Sequence, residues 1–237
     1  MPDFEESAIP IPKINPNNFN TYFQTALSEF NIVKEIITSI HDYLDIEEIQ
    51  WFSLDGFGKS IGVEARNGIE LILYTSSVIN NIVYLIRSNE SYWSFIYDGK
   101  WCRWRFPFVK LLAITNQEIY ICLADGFINT PPTNTSKCLG WKILNATLYT
   151  LHGNGTTLVA TDSGVTFDTS IQNTELLIEY DIPNNTIYYY VAGVLVGTVT
   201  TELPPSTVNY YISVLVKTLE ANIKHIRLGR FLFEKVK

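Results

Sequence analysis

Glu179 and Asp181 stand two residues apart in the run Leu176–Asp181. Side chains alternate between faces in an extended strand, so the two carboxylates share one face. Two carboxylates about a glycosidic bond are what its hydrolysis needs, one as acid/base and the other as nucleophile or base. A second stretch, Tyr92–Phe106, reads YWSFIYDGKWCRWRF. Alternation puts Trp101, Arg103 and Arg105 on one face and Cys102, Trp104 and Phe106 on the other. The second set reads as core. The first set, with Trp93, reads as a ligand surface for a glycan. An indole stacks on a sugar ring, and guanidiniums give planar polar recognition. The plainer reading of the same residues is a surface where arginine stems cover an aromatic ring.

The remaining chemistry-bearing residues are dispersed. His41, His152 and His225 are far apart in sequence, with no HExxH pattern, no Ser-His-Asp pattern and no glycine-rich phosphate loop beside them. Cys102, Cys122 and Cys138 show no CxxC spacing, so they read as small buried apolar residues and not as metal ligands. No cofactor is implied. Sequons begin at Asn89, Asn134, Asn145, Asn154 and Asn184, several of them in expected turns where a glycan has room.

Composition narrows the classes. The 237 residues are 46% hydrophobic and 14% aromatic, enough for a large core, and only 17% charged. A net charge of −7 argues against nonspecific nucleic-acid binding, which needs lysine and arginine to neutralise phosphates. No apolar run approaches the ~20 residues of a membrane span. The N-terminus is acidic and proline-rich, without the apolar segment of a signal peptide, so synthesis in a cytoplasm is expected.

These residues must be positioned by strands. Residues 1–20, with Pro2, Pro10, Pro12 and Pro16, read as an extended arm. Residues 21–45 read as one amphipathic helix: Phe23, Ala26, Leu27, Phe30, Val33, Ile36, Ile37, Ile40, Tyr43 and Leu44 make a continuous apolar stripe, expected to pack on the sandwich. From 46 to 237 the period becomes two, with turn residues every eight to twelve positions, the pattern of a single β-sandwich. Separate strands are expected over Ile49–Leu54, Lys100–Phe106 and Val109–Thr115, among others. Asn184-Asn185 and Ala192-Gly193 join Leu176–Asp181, Thr186–Val191 and Val194–Thr200 as hairpins. Strands over Asn209–Lys217 and Lys224–Glu234 are expected to complete a five-strand meander.

The segments IEYD, TIYYYVAGVLVGTVTTELP, YYISVLVKT and IRLGRFLFEKV together resemble the C-terminal half of a concanavalin A-like jelly roll. They are most similar to the variant found in phage and virus structural proteins. The likeness covers roughly the last hundred residues, from Gly140 on, and implies an all-β, two-sheet antiparallel sandwich. Glucanases of that superfamily carry E-x-D-x-x-E on one strand. Glu179 and Asp181 match its first two carboxylates, but the third falls at Asn184 or Asn185, so no catalytic site is expected. The resemblance implies a non-enzymatic capsid, spike or tail protein, located in the virion. Its expected partners are other virion proteins or copies of itself, and glycans of a host surface. The Asn-, Ile-, Tyr- and Thr-rich, charge-poor composition is compatible with a virus of a hot, acidic archaeal habitat. A lectin module reading surface glycans is the alternative, and a glycoside hydrolase of the same superfamily a further one.

Overall fold

The computed structural model describes residues 44–49, 57–59, 63–66, 70–87, 95–96, 101–125, 129–169, 174–229 and 231–236. They form two antiparallel sheets. The first, nine-stranded, runs in the order β14 (Val194–Val199), β13 (Thr186–Val191), β12 (Thr174–Asp181), β7 (Trp101–Leu111), β16 (His225–Leu228), β4 (Glu70–Tyr74) and β3 (Val63–Arg66). β17 (Phe231–Val236) pairs with β7 beside β16, and β1 (Leu44–Ile49) pairs with β17. The second, eight-stranded, runs β11 (Leu158–Thr166), β10 (Thr147–Asn154), β9 (Lys137–Leu144), β8 (Gln117–Ala124), β15 (Asn209–Thr218), β5 (Ile82–Arg87) and β2 (Phe57–Lys59). β6 (Phe95–Ile96) pairs with the start of β15.

The turns follow from local chemistry. Ala192 and Gly193 both take positive φ, 49° and 78°, and close the two-residue turn between Val191 and Val194. That geometry matches the twist of the flanking strands. Asn185 takes φ 48°, but the loop it closes has four residues, because Asp181 pairs with Thr186. Asn145, at φ 57°, turns β9 into β10.

The inner faces supply the core. Trp104, Phe106 and Phe231 pack with ring centroids 5.4–6.1 Å apart. Trp141 on β9 meets Tyr189 on β13 edge-to-face at 5.0 Å, which ties one sheet to the other. The Tyr189 hydroxyl donates to the Leu151 carbonyl across the same gap at 2.9 Å, so the buried phenol is satisfied.

Four expectations change. The five closing strands are not one meander: β12, β13 and β14 lie in the nine-stranded sheet, β15 in the eight-stranded sheet, and the chain then returns. The prolines at 204 and 205 occupy the crossing. Tyr180 from one sheet and Tyr210 from the other donate to the carbonyls of Pro204 and Pro205 at 3.5 and 2.6 Å and hold it. The strand expected over Lys224–Glu234 is two, β16 and β17, which lie end to end along β7 and face different outer partners. Conversely, Trp101–Leu111 is one strand through Pro107. The register with β12 shifts between Thr174 and Leu176, which leaves Pro107 without a partner there and its missing N–H without cost. Leu44 and Asp45, expected at the end of the helix, open β1, whose ladder to Val236 and Lys235 overrides the helical spacing. The rest of the helix expected over residues 21–45, and the arm before it, lie outside the described residues.

Candidate functional site

β7 places its side chains as alternation requires. Trp101, Arg103 and Arg105 are partly exposed, and Cys102, Trp104 and Phe106 are buried. Register then decides what faces them. Arg103 lies between Glu179 of β12 and Glu234 of β17, and Arg105 lies between Leu177 and Leu232. The Arg103 Nε donates to Glu234, and its Nη1 sits 3.9 Å from Glu179 Oε1. Arg105 Nη1 sits 3.6 Å from Glu175 Oε1. The Trp101 ring lies 5.2 Å from the Arg103 guanidinium carbon, a cation–π contact. From β13, Tyr190 hydrogen-bonds Glu179. Burial first, and then the Glu179 charge, raises the Tyr190 pKa above the ordinary phenol value. Tyr188, opposite Glu179, is half-buried on the same face.

The outcome is a carboxylate–guanidinium–carboxylate ladder across three strands, rimmed by Trp101, Tyr188 and Tyr190. Trp93 lies outside the described residues. Glu175, Glu234, Tyr188 and Tyr190 were not singled out from sequence. Period two marks which way each points, but only the pairing of β7 with β12 and β17 brings Glu175 to Arg105 and Glu234 to Arg103, and the pairing of β12 with β13 sets Tyr188 and Tyr190 beside Glu179.

Glu179 and Asp181 do share a face, but their partners differ. Asp181 accepts from the Asn184 backbone N–H at 3.2 Å and from the Asn184 amide at 2.8 Å, closing the turn. The second polar group sits on the outer face of the eight-stranded sheet. Glu118 accepts from the Tyr120 hydroxyl at 2.6 Å and pairs with Lys142 Nζ at 3.0 Å. Burial opposes the Glu118 charge, but Tyr120, Lys142 and Lys217 outweigh it and its pKa is lowered. A general acid at neutral pH needs the opposite shift.

His152 is buried, and burial lowers its pKa. His225 lies against Tyr74, with ring centroids 5.7 Å apart, and His41 lies outside the described residues. The three cysteines are buried. Burial pushes the Cys138 thiol up to about 12, which makes it a poor nucleophile. Among the described residues no group of three or more His, Cys, Asp or Glu is placed to hold a metal ion. The sequon side chains at Asn154 and Asn184 serve turns: Asn154 Oδ1 accepts from the Thr156 and Thr157 backbone at 2.8 and 2.9 Å.

Solved structures share this architecture. The carbohydrate recognition domain of Emp47p superposes with a TM-score of 0.58 at 12% identity, covering 82% of this chain and 95% of that one. The catalytic domain of an endo-1,3-beta-glucanase (laminarinase) from Thermotoga petrophila RKU-1 gives 0.54 at 12%, covering 82% and 92%. A lichenase from a mouse hindgut metagenome gives 0.55 at 10%, covering 81% and 98%. The fold is the concanavalin A-like jelly roll. No protein-family model and no curated protein matches the chain. The likeness therefore lies in the fold alone, which a carbohydrate recognition domain and two glucanases share. Fold does not decide between binding and hydrolysis; the site must.

Proposed function

We propose that this chain is a non-enzymatic, lectin-like recognition protein that holds carbohydrate on the outer face of its nine-stranded sheet, at Trp101, Arg103 and Arg105. The observation that carries this reading is the Arg103 ladder. Glu234 accepts a hydrogen bond from Arg103, and Glu179 and Glu175 lie within ion-pair range of Arg103 and Arg105, so these carboxylates are paired with fixed cations and are not a free acid and base. Trp101, Tyr188 and Tyr190 beside them offer aromatic faces for sugar rings. That structures of the same fold are named for carbohydrate recognition or glucan hydrolysis supports a saccharide as the ligand class.

A glycan array read with the intact chain and with Trp101→Ala tests this. Binding that Trp101→Ala abolishes is expected; no binding to any glycan overturns it. Incubation with β-1,3-glucan and mixed-linkage glucan should release no reducing ends, and sustained release would make the chain a hydrolase. The virion setting is a proposal that rests on the sequence resemblance. In it the module would serve assembly and attachment to a host-surface glycan. Mass spectrometry of purified particles decides it, and absence of the chain from every particle refutes it.

A further inference from the structure

β7 runs on past Arg105 into a second group of polar residues. It has two residues, Pro107 and Phe108, where β12 has one, Glu175. Beyond that bulge Val109 and Leu111 are buried and Lys110 between them is not. Arg227 of β16 lies directly opposite Lys110. Like charges facing each other across a strand pair repel. Elsewhere the described cations are compensated: Arg103, Arg105, Lys137, Lys142 and Lys224 each lie within ion-pair range of a carboxylate, and Lys217 acts on Glu118. Lys110 and Arg227 have no carboxylate partner among the described residues. The Arg227 Nε is buried and has no hydrogen-bond acceptor there. On its other side Arg227 faces Ile72 of β4, which is 4% exposed, so the charge stands beside apolar surface. Phe108, partly exposed, lies over Gly229. A Cβ at 229 would meet two of its ring carbons at 2.8 and 3.0 Å, so the glycine makes room for the ring.

We propose that Lys110, Arg227 and Phe108 form a second subsite, which takes the carboxylate or sulfate group of an acidic saccharide. This rests on the carbohydrate reading above and names the saccharide class. An anion between the two cations removes their repulsion and gives the Arg227 Nε–H its missing acceptor. The Phe108 ring offers a flat apolar surface to the sugar that carries the acid. Arg103 and Arg105 already have their carboxylates, so the acid is left to Lys110 and Arg227. Lys110 lies about 17 Å along β7 from Arg105, so an oligosaccharide lying along the strand can meet both groups.

A glycan array of neutral, uronate-bearing and sulfated saccharides, read with the full chain, tests this. Acidic members should bind roughly tenfold or more tightly than neutral ones of the same backbone. Arg227→Gln and, independently, Lys110→Gln should erase that preference and leave neutral binding unchanged; the second variant decides if the first fails to fold. No acidic preference in the wild type, or one that survives both substitutions, overturns the subsite and leaves the carbohydrate reading standing. No binding to any glycan overturns that reading instead, and NMR of the Arg227 side-chain Nε–H then decides the subsite alone. Glucuronate should shift that resonance saturably and glucose should not. No shift with glucuronate overturns the subsite, and an equal response to inorganic sulfate overturns the saccharide and makes it a site for a free anion.

Discussion

On the nine-stranded sheet, the outer positions of β7 and β12 include Trp101, Arg103, Arg105, Glu175 and Glu179, partly exposed and joined by charge. On the eight-stranded sheet, those of β8, β9 and β15 include Tyr120, Cys122, Ala124, Cys138, Gly140 and Leu215, all buried. Both faces come from the same alternation. The first behaves as an antiparallel sheet usually does, with one face in the core and one toward water. The second is buried on both faces through its central strands, with Cys122, Cys138, Leu151 and Leu215 forming a second apolar cluster. The first face can therefore present a ligand surface and tolerate change; the second is held by packing, with Glu118, Tyr120 and Lys142 as a polar margin.

The largest effects should fall on the eight-stranded face. Leu215→Ala removes a buried side chain and should cost about 2–5 kcal/mol in urea unfolding. Leu177→Ala, at a half-buried outer position of the other sheet, should cost about 1 kcal/mol. Equal losses would erase the contrast between the faces. Gly140→Ala should be nearly as damaging, about 1–3 kcal/mol. A Cβ there would collide with the Ile121 carbonyl and with Cys122 on the neighbouring strand, and backbone cannot step aside as a flexible side chain can.

Arg103→Ala strips the partner from Glu234, which is nearly buried, and should cost about 1–3 kcal/mol. Arg103→Lys restores charge but not the planar fork, so recovery should be partial. Full recovery would show that charge alone holds the ladder.

A smaller effect is a slope with pH. The folded-state pKa of Glu118 lies below the ordinary 4.5, so its contribution is complete above 4.5 and is lost as pH falls through the lowered value. Glu118→Gln should flatten acid unfolding in that window; an unchanged slope would mean that the Tyr120 and Lys142 contacts do not form in solution. Smallest of all, Trp101→Ala should change stability by less than about 1 kcal/mol while abolishing glycan binding. A large loss of stability would make Trp101 a structural residue and undo the contrast from the other side.

Much of this was legible in the residues. The alternation of Trp101–Phe106 separates core from surface, and Ala192-Gly193 names its own turn, because both are local: period two and positive φ need no distant partner. The burial of the three cysteines followed from their residue type and from the absence of ligand spacing.

What the chain folds against was not local. Leu44 fits a helical stripe as well as a strand, and the ladder with Val236, far away in sequence, decided it. The apolar runs ICLA in β8 and VLV in β15 have no polar phase to show which face is which, so nothing in them announced that both sides are buried. Trp101, Arg103 and Arg105 could be placed on one face from sequence alone. That Arg103 would lie between Glu179 and Glu234 depended on the registers of β12 and β17 along β7, set by the packing of two sheets and not by any short stretch of chain. Sequence by itself thus determined the strand period, the turns and the composition of each face. Only the tertiary structure decided which faces meet and which charges pair, because strand pairing is a long-range contact whose register is fixed by burial across the whole sandwich.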